Sequence, residues 1–294
     1  MLDDELVRVM RSVGLDGDVE AINLSGGASG SGVYRVQIDE DEAVLKVTTA
    51  GYGQKNARRE LAFYRTLADR VPVTTPRLLR SADNEEFTAV LLSAHASALP
   101  ARDWGRASWL EVTRQLAALH SMPPPDEAPW IDQPWHRQVP YQPPTDLAEN
   151  YWSKTDAADS VRPFLDAPDD LAKALRAIPD SFLHGDCHVE NLLRDGPQIV
   201  WTDWQVAGVG CPAGELAFLW SRAGVDGADV PYDEMLREYV THRDIDLALL
   251  RPAVVAAEIN LLLFAWPHFA PSCTPDERDH LTRRLLQLIE DWHT

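Results

Sequence analysis

One lysine constrains this chain more than any other residue. Lys46 stands in Ala43-Val-Leu-Lys-Val-Thr48, a run otherwise suited to a buried strand. A buried ammonium without a partner is expensive, so the fold has to bring a carboxylate or a phosphate to it. Lysine is also scarce: Lys46, Lys55, Lys154 and Lys173 are four among 27 basic residues, and the others are arginine. Glu60, in a helical pattern just downstream, is the candidate partner. In the alternative, the strand lies at a sheet edge and Lys46 points to solvent. Arg58 and Arg59 stand beside Glu60 as competitors for its carboxylate.

The pattern around Lys46 is β-rich. Residues 3–13 read as a short amphipathic helix with Leu6, Val9, Met10 and Val13 on one side. A strand leads into Ser25-Gly-Gly-Ala-Ser-Gly-Ser-Gly32, and Val33–Ile38 leads out of it. Glycines let a backbone approach phosphates closely and the serine hydroxyls add donors, although a flexible hairpin loop has the same composition. A Walker-type loop is excluded, because Gly-Lys-Ser/Thr is missing and a strand follows. Glu40 and Asp41 predict a turn, Gln54–Asp69 a helix, and Pro76–Leu79 and Thr88–Ser93 two further strands joined by a turn at Asp83-Asn84.

Beyond residue 93 the pattern becomes helical. Ser108-x-x-Glu111 reads as a capping box opening a helix from Trp109 to His120, stopped by Pro123-Pro-Pro125. Further helices are predicted over 145–159, 168–177, 213–223, 232–241, 247–264 and 275–292. Residues 123–144 are rich in proline and tryptophan, and Trp130, Trp135 and Trp152 are candidates for a substrate wall. The expected fold is α+β in two lobes, residues 1–93 and 94–294.

The chemistry is written in His184-Gly-Asp-x-x-x-x-Asn191 and Val200-Trp-Thr-Asp-Trp204. A carboxylate, an amide five residues later and a second carboxylate after a short turn are what phosphoryl transfer needs. Asp186 would accept the proton of an attacking hydroxyl, while Asn191 and Asp203 would hold magnesium against nucleotide phosphates. His184, Cys187, His188 and Cys211 offer zinc-compatible donors, but without paired ligand spacing. His184 and His188 are read as loop-bracing residues. Glu215 opens the next helix, where it would cap that helix or tie down the catalytic loop.

Composition narrows the partners. A formal net charge of −19 argues against nucleic acid, whose backbone needs a basic face. Long-range steering of cationic ligands is one use for such acidity, and plain solubility is another. The start of the chain lacks the basic-then-apolar order of a signal peptide. Ala253–Trp266 is the most apolar run, but Glu258 and Asn260 within it indicate a buried helix and no membrane partner. Three widely spaced cysteines fit a reducing cytoplasm without disulfides.

With these residues in view, from about Leu24 to Arg222, the chain resembles the aminoglycoside phosphotransferase family, relatives of choline kinase within the protein-kinase-like fold. The resemblance implies a nucleotide-binding first lobe, a catalytic helical second lobe, magnesium, and ATP or GTP as phosphate donor. It implies Asp186 as catalytic base and Asn191 and Asp203 as metal ligands. Nucleotide-binding residues would be Ser25, Gly26, Ser29 and Ser31 of the loop, Lys46 with Glu60, and Ser93 and His95 of the lobe connection. The purine would lie against backbone groups of about Leu92 to Ala96.

Three departures bear on specificity. Glu215 stands where the family usually has aspartate, and Ser93-Ala-His-Ala-Ser97 lacks the common glutamate-plus-glycine pattern, leaving ATP or GTP open. Asp126, Glu127, Asp132, Asp146 and Glu149 are scattered, with no acidic cluster matched to aminoglycoside amines. The expected acceptor is a small polyhydroxylated molecule: an antibiotic first, including a macrolide or nucleoside. A metabolite such as a sugar, an amino alcohol or a homoserine-like compound comes second, and a non-catalytic nucleotide-binding module is the rival from another class.

Overall fold

A computed structural model describes residues 4–16, 19–24, 31–51, 53–127, 129–131, 145–167 and 169–292. Contacts divide the chain into two compact units, Met1–Ala98 with Asn191–Ala207, and Leu99–Glu190 with Gly208–Thr294.

The first unit is built on an antiparallel sheet ordered β1-β2-β3-β5-β4. After α1 (Asp4–Ser12) come β1 (Ala21–Asn23), β2 (Gly32–Ile38), β3 (Asp41–Thr49), α2 (Gln54–Thr66), β4 (Leu78–Asp83) and β5 (Phe87–Ser93). Leu6, Val9 and Met10 of α1 join Ala43, Leu45, Val47, Ala89 and Leu91 of the sheet in one apolar core. Strand residues alternate faces, so Lys46 and Thr48 point away from that core. β3 lies between β2 and β5, which rules out the edge-strand alternative for Lys46. The β2–β3 turn falls on Asp39-Glu40, one residue before the predicted one, with Asp39 left-handed at φ 55°.

Residues 191–207 add a hairpin, Leu192–Asp195 paired with Gln198–Trp201. The Ala96 and Arg194 backbones exchange N–H···O bonds of 3.1 Å, and the Trp201 N–H donates to the Thr74 carbonyl at 2.8 Å. These strands, and the pair Ser181–Leu183 with Gly208–Gly210 in the second unit, fall in the stretch predicted to be helical and loop. At three or four residues each, they are too short for alternation to show in sequence.

The second unit contains α3 (Arg106–Ser121), α4 (Asp146–Trp152), α5 (Ala158–Asp166), α6 (Asp169–Arg176), α7 (Pro212–Val225), α8 (Tyr232–His242), α9 (Leu247–Asn260), α10 (Trp266–Phe269) and α11 (Pro275–Trp292). The predicted capping box does not form. α3 starts earlier, behind Gly105, and the Glu111 carboxylate accepts from Arg114 and Gln115 instead. The helix expected over 145–159 is two, parted where the Thr155 hydroxyl donates to the Trp152 carbonyl and accepts from the Ala157 N–H. Such local side-chain bonds compete with helix continuation.

Among the described residues, Leu247–Ser272 is the one helical stretch long and apolar enough to cross a membrane. Much of it is buried in this unit, and its Glu258 pairs with Arg284 at 2.7 Å. Between α9 and α10 the helix widens over Leu261–Ala265, with the Trp266 N–H reaching back five residues to the Leu261 carbonyl. Pro267 has no N–H to offer the Leu263 carbonyl four residues back. The indole N–H of Trp152 supplies that bond at 2.8 Å. Trp152 and Trp130 are therefore core residues, 0% and 2% exposed, not a substrate wall. Trp135 and the rest of 132–144, the candidate wall, lie outside the described residues.

Candidate active site

In the first unit the Lys46 ammonium meets two carboxylates. Its Nζ donates to Glu60 Oε1 at 2.8 Å and to Asp203 Oδ1 at 3.0 Å. Glu60 comes from the face of α2 that also buries Phe63 and Tyr64. Asp203 comes from the turn after the 192–201 hairpin, where it takes the left-handed conformation, φ 65°. That conformation is uncommon outside glycine, and aspartate tolerates it better than most residues. The turn is clamped on both sides of Asp203. Trp204 stacks on Phe63 with ring centroids 3.9 Å apart, its backbone N–H bonds to the Glu60 carboxylate, and its indole donates to the Trp201 carbonyl at 3.0 Å. The competing arginines go elsewhere: Arg58 pairs with Asp83 at 3.0 Å, and Arg59 donates to the Ala207 carbonyl at 3.1 Å.

Two carboxylates around one ammonium leave an excess negative charge. Burial opposes the Lys46 charge, yet Asp203 and Glu60 together hold its pKa above the ordinary lysine range. Burial pushes Glu60 up to about 7 against the pull of Lys46, with Asp203 adding to the rise. Asp203 is the wet member, 29% exposed against 2% for Glu60. Asn191 belongs to the same unit, 8% exposed, its carbonyl accepting from the Thr202 N–H at 3.0 Å.

An amide oxygen and a carboxylate are hard donors of the kind magnesium takes. Among the described residues no group of three or more His, Cys, Asp and Glu is placed to hold a metal alone. An ion held by Asn191 and Asp203 would therefore complete its shell with phosphate and water oxygens. The zinc-compatible set His184, Cys187, His188 and Cys211 forms no such group. Burial pushes the Cys211 thiol up to about 11, away from the thiolate a metal needs.

Ser31 shares a 2.6 Å hydroxyl–hydroxyl bond with Thr48, two residues along the same face from Lys46. Ser25, Gly26 and Ser29 lie outside the described residues. In the connection, the Ser93 hydroxyl accepts from the Arg77 N–H at 3.0 Å and lies 3.1 Å from His95 Nε2. The other ring nitrogen, Nδ1, lies 4.0 Å from the Asp195 carboxylate. Both side chains thus brace the connection itself.

In the second unit, Asp186 follows a segment held from behind. The Glu215 carboxylate accepts from the backbone N–H groups of His184, at 3.2 Å, and Gly185. Of the two readings of Glu215, tying down the loop is the one the geometry shows. Gly185 sits at φ 82°, where a side chain would be strained. Buried His184 accepts the Asp186 N–H on Nδ1 at 3.2 Å, bracing the loop. His188 lies 3.8 Å from the Asp186 carboxylate and 3.4 Å from Glu190, which also meets Arg222 at 3.5 Å. Sequence reasoning missed Thr48, the Phe63–Trp204 stack, and His120 and Tyr239 behind Glu215. Only His120, a histidine ending an apolar helix, left a visible signal.

A family model for the phosphotransferase enzyme family matches residues 20–253, and the chain belongs to that family. A thiamine kinase from Escherichia coli O81 (strain ED1a) is 34% identical over 101 residues, covering 34% of this chain and 35% of that protein. The match thus spans about a third of that relative's length. A microcompartment-associated aminopropanol kinase superposes with a TM-score of 0.67 at 16% identity, covering 97% of this chain and 94% of its own. Amicoumacin kinase hAmiN, solved with AMP-PNP, Ca2+ and Ami, gives 0.66 at 13% identity over 99% and 94%. Aminoglycoside phosphotransferase APH(4)-Ia, with ADP and hygromycin B, gives 0.62 at 16% over 96% and 97%. At these identities the likeness is one of fold, and it establishes the α+β protein-kinase-like architecture.

Proposed function

We propose that this protein transfers the γ-phosphate of ATP or GTP to a hydroxyl of a small polyhydroxylated molecule. The observation that carries the reading is the Lys46 ammonium shared between Glu60 and Asp203. A buried strand lysine fixed by a helix carboxylate is prepared for nucleotide phosphates, and a partly exposed carboxylate beside it suits the accompanying ion. Asn191 and Asp203 would hold magnesium, which when bound offsets charge on the phosphates. Ser31 and the glycine loop would line the phosphate site, with Ser93 and His95 shaping the purine end. Asp186 would accept the proton of the acceptor hydroxyl, its carboxylate fixed by the braced segment before it.

Two acceptor classes have support. Antibiotics are named with two solved neighbours, amicoumacin and hygromycin B. A metabolite alcohol is favoured by the 34% identity to a thiamine kinase and by the burial of Trp130 and Trp152, which takes two tryptophans out of the proposed wall. The net charge of −19 and the three free cysteines support a cytoplasmic enzyme without a nucleic-acid partner.

The test is mass spectrometry on aminoglycosides, macrolides, nucleoside antibiotics, thiamine and amino alcohols, each incubated with magnesium and ATP or GTP. A phosphate adduct made by the wild type, with yield lowered about 10²-fold or more by Asp186→Asn at unchanged nucleotide affinity, is expected. Equal yield from Asp186→Asn would remove that residue as the base.

A further inference from the structure

Behind the segment that leads to Asp186 lies a buried chain of polar groups that the phosphate chemistry does not itself use. Arg243, just after α8, donates through Nη1 to the Tyr239 hydroxyl. That hydroxyl lies 2.8 Å from His120 Nδ1, and His120 Nε2 lies 2.9 Å from Glu215 Oε2. Tyr239, His120 and Glu215 are 0%, 3% and 4% exposed.

The direction of every hydrogen follows from chemistry. A guanidinium only donates, so the Tyr239 oxygen accepts from Arg243. The phenolic hydrogen then goes to His120 Nδ1, which accepts. That leaves the imidazole proton on Nε2, where it meets the Glu215 carboxylate. The reverse tautomer would set the Nε2 lone pair against the carboxylate lone pairs. Burial lowers the His120 pKa despite the pull of Glu215, keeping the ring neutral as this order requires. Burial likewise holds the Tyr239 hydroxyl protonated, its pKa well above the ordinary range. Glu215 collects the chain and accepts in addition from the His184 and Gly185 amides.

The same Arg243 also grips the other end of that segment. Its Nη2 donates to the Ser181 hydroxyl at 2.7 Å, and Ser181 begins the strand that runs into His184. Residues 181–185 are thus fastened at both ends by one network anchored on a single guanidinium.

We propose that His120 and Tyr239 are positioning residues for the transfer reaction, setting residues 181–185, and through them Asp186, by an ordered donor chain from Arg243 to Glu215. This rests on the reading of Asp186 as the base.

The experiment combines two readouts on Tyr239→Phe, which deletes one hydroxyl and keeps the ring, and on His120→Gln and His120→Leu. Amide hydrogen exchange at His184 and Gly185, measured by NMR with α11 amides as reference, reports the segment without any acceptor. Steady-state kinetics with magnesium nucleotide and an acceptor found by the panel report the reaction. Tyr239→Phe is expected to speed exchange at these two amides about tenfold relative to α11, the size of one lost buried hydrogen bond. It should lower kcat about tenfold, with acceptor KM and nucleotide affinity within about twofold. His120→Gln, which can still donate to Glu215, should keep more activity than His120→Leu. Uniformly faster exchange with unchanged kcat would mean a purely stabilising role and overturn the proposal, as would no change in either readout. Should Tyr239→Phe fail to fold, the His120→Gln and His120→Leu contrast decides by the same criteria. A wild type that phosphorylates nothing sinks the functional reading, while amide exchange still judges the network.

Discussion

Glu60 in the first unit and Glu215 in the second invite comparison: each is buried, 2% and 4% exposed, against a nitrogen at 2.8 Å and 2.9 Å. Their surroundings differ in kind. Glu60 faces a formal cation that a second, partly exposed carboxylate also claims. That cluster is over-supplied with negative charge, and burial pushes Glu60 up to about 7. Glu215 accepts from uncharged donors: a neutral imidazole and two backbone amides. The first arrangement is charged, with one member left wet, as a site awaiting a charged ligand should be. The second is sealed and saturated, as a support should be. Exposure of the third partner, not burial of the glutamate, separates the two clusters, and it is what fits the first to the proposed ligand site.

The largest expected effect tests that contrast directly. Lys46→Met leaves two carboxylates facing each other and should cost about 3–5 kcal/mol in urea denaturation, with nucleotide binding lost. The matching His120→Leu leaves Glu215 its two amides and should cost about 1–3 kcal/mol, with nucleotide binding retained. Equal costs with equal loss of binding would erase the distinction.

Next in size is a pH effect confined to the charged cluster. Glu60 has a folded pKa near 7, raised from an ordinary 4.5, so between those values the folded protein binds more protons than the unfolded chain. Stability contributed by this group is therefore full below about pH 4.5 and is lost as pH rises through about 7, by up to about 3 kcal/mol. Thermal unfolding of wild type and Glu60→Gln from pH 4.5 to 8 should show the mutant gaining relative stability across that window. A constant difference would place the Glu60 pKa back in the ordinary range.

The smallest effect gives the baseline. Arg8 and Glu86 form a 3.0 Å ion pair in the first unit with side chains 58% and 63% exposed. Water and salt screen such a pair, so Arg8→Ala should change stability by at most about 1 kcal/mol. A larger loss in urea would show that exposure is a poor guide to what these pairs contribute.

The two clusters were unequally legible in sequence. Lys46 announced itself because charge is rare in a run of strand-forming residues, and Glu60 followed in a helical pattern one element later. Asp203 was visible as a motif, but nothing in its spacing said that it would share the ammonium of a lysine 157 positions away. The sealed cluster was nearly silent. His120 and Glu215 are 95 positions apart, and His120 and Tyr239 119, so although Glu215 was read as a possible tie to the loop, nothing joined it to His120 or Tyr239. Ser108 and Glu111 misled in the opposite way, since a good local pattern lost to a helix that began earlier, at Arg106, and to Glu111 pairing with Arg114.

The amino-acid sequence by itself determined the order of the elements around Lys46, the mixed α+β character, and the acidic, amide and histidine residues in the motif around Asp186. Local rules suffice for these, because strand alternation, helix period and the rarity of buried charge act within a few residues. Tertiary structure alone decided which carboxylates share Lys46, which tryptophans are core, and that Arg243 reaches the segment before Asp186 through Tyr239, His120 and Glu215. Those pairings join residues distant in the chain, where hydrogen-bond partners are chosen by how whole elements pack and which polar groups packing leaves without water.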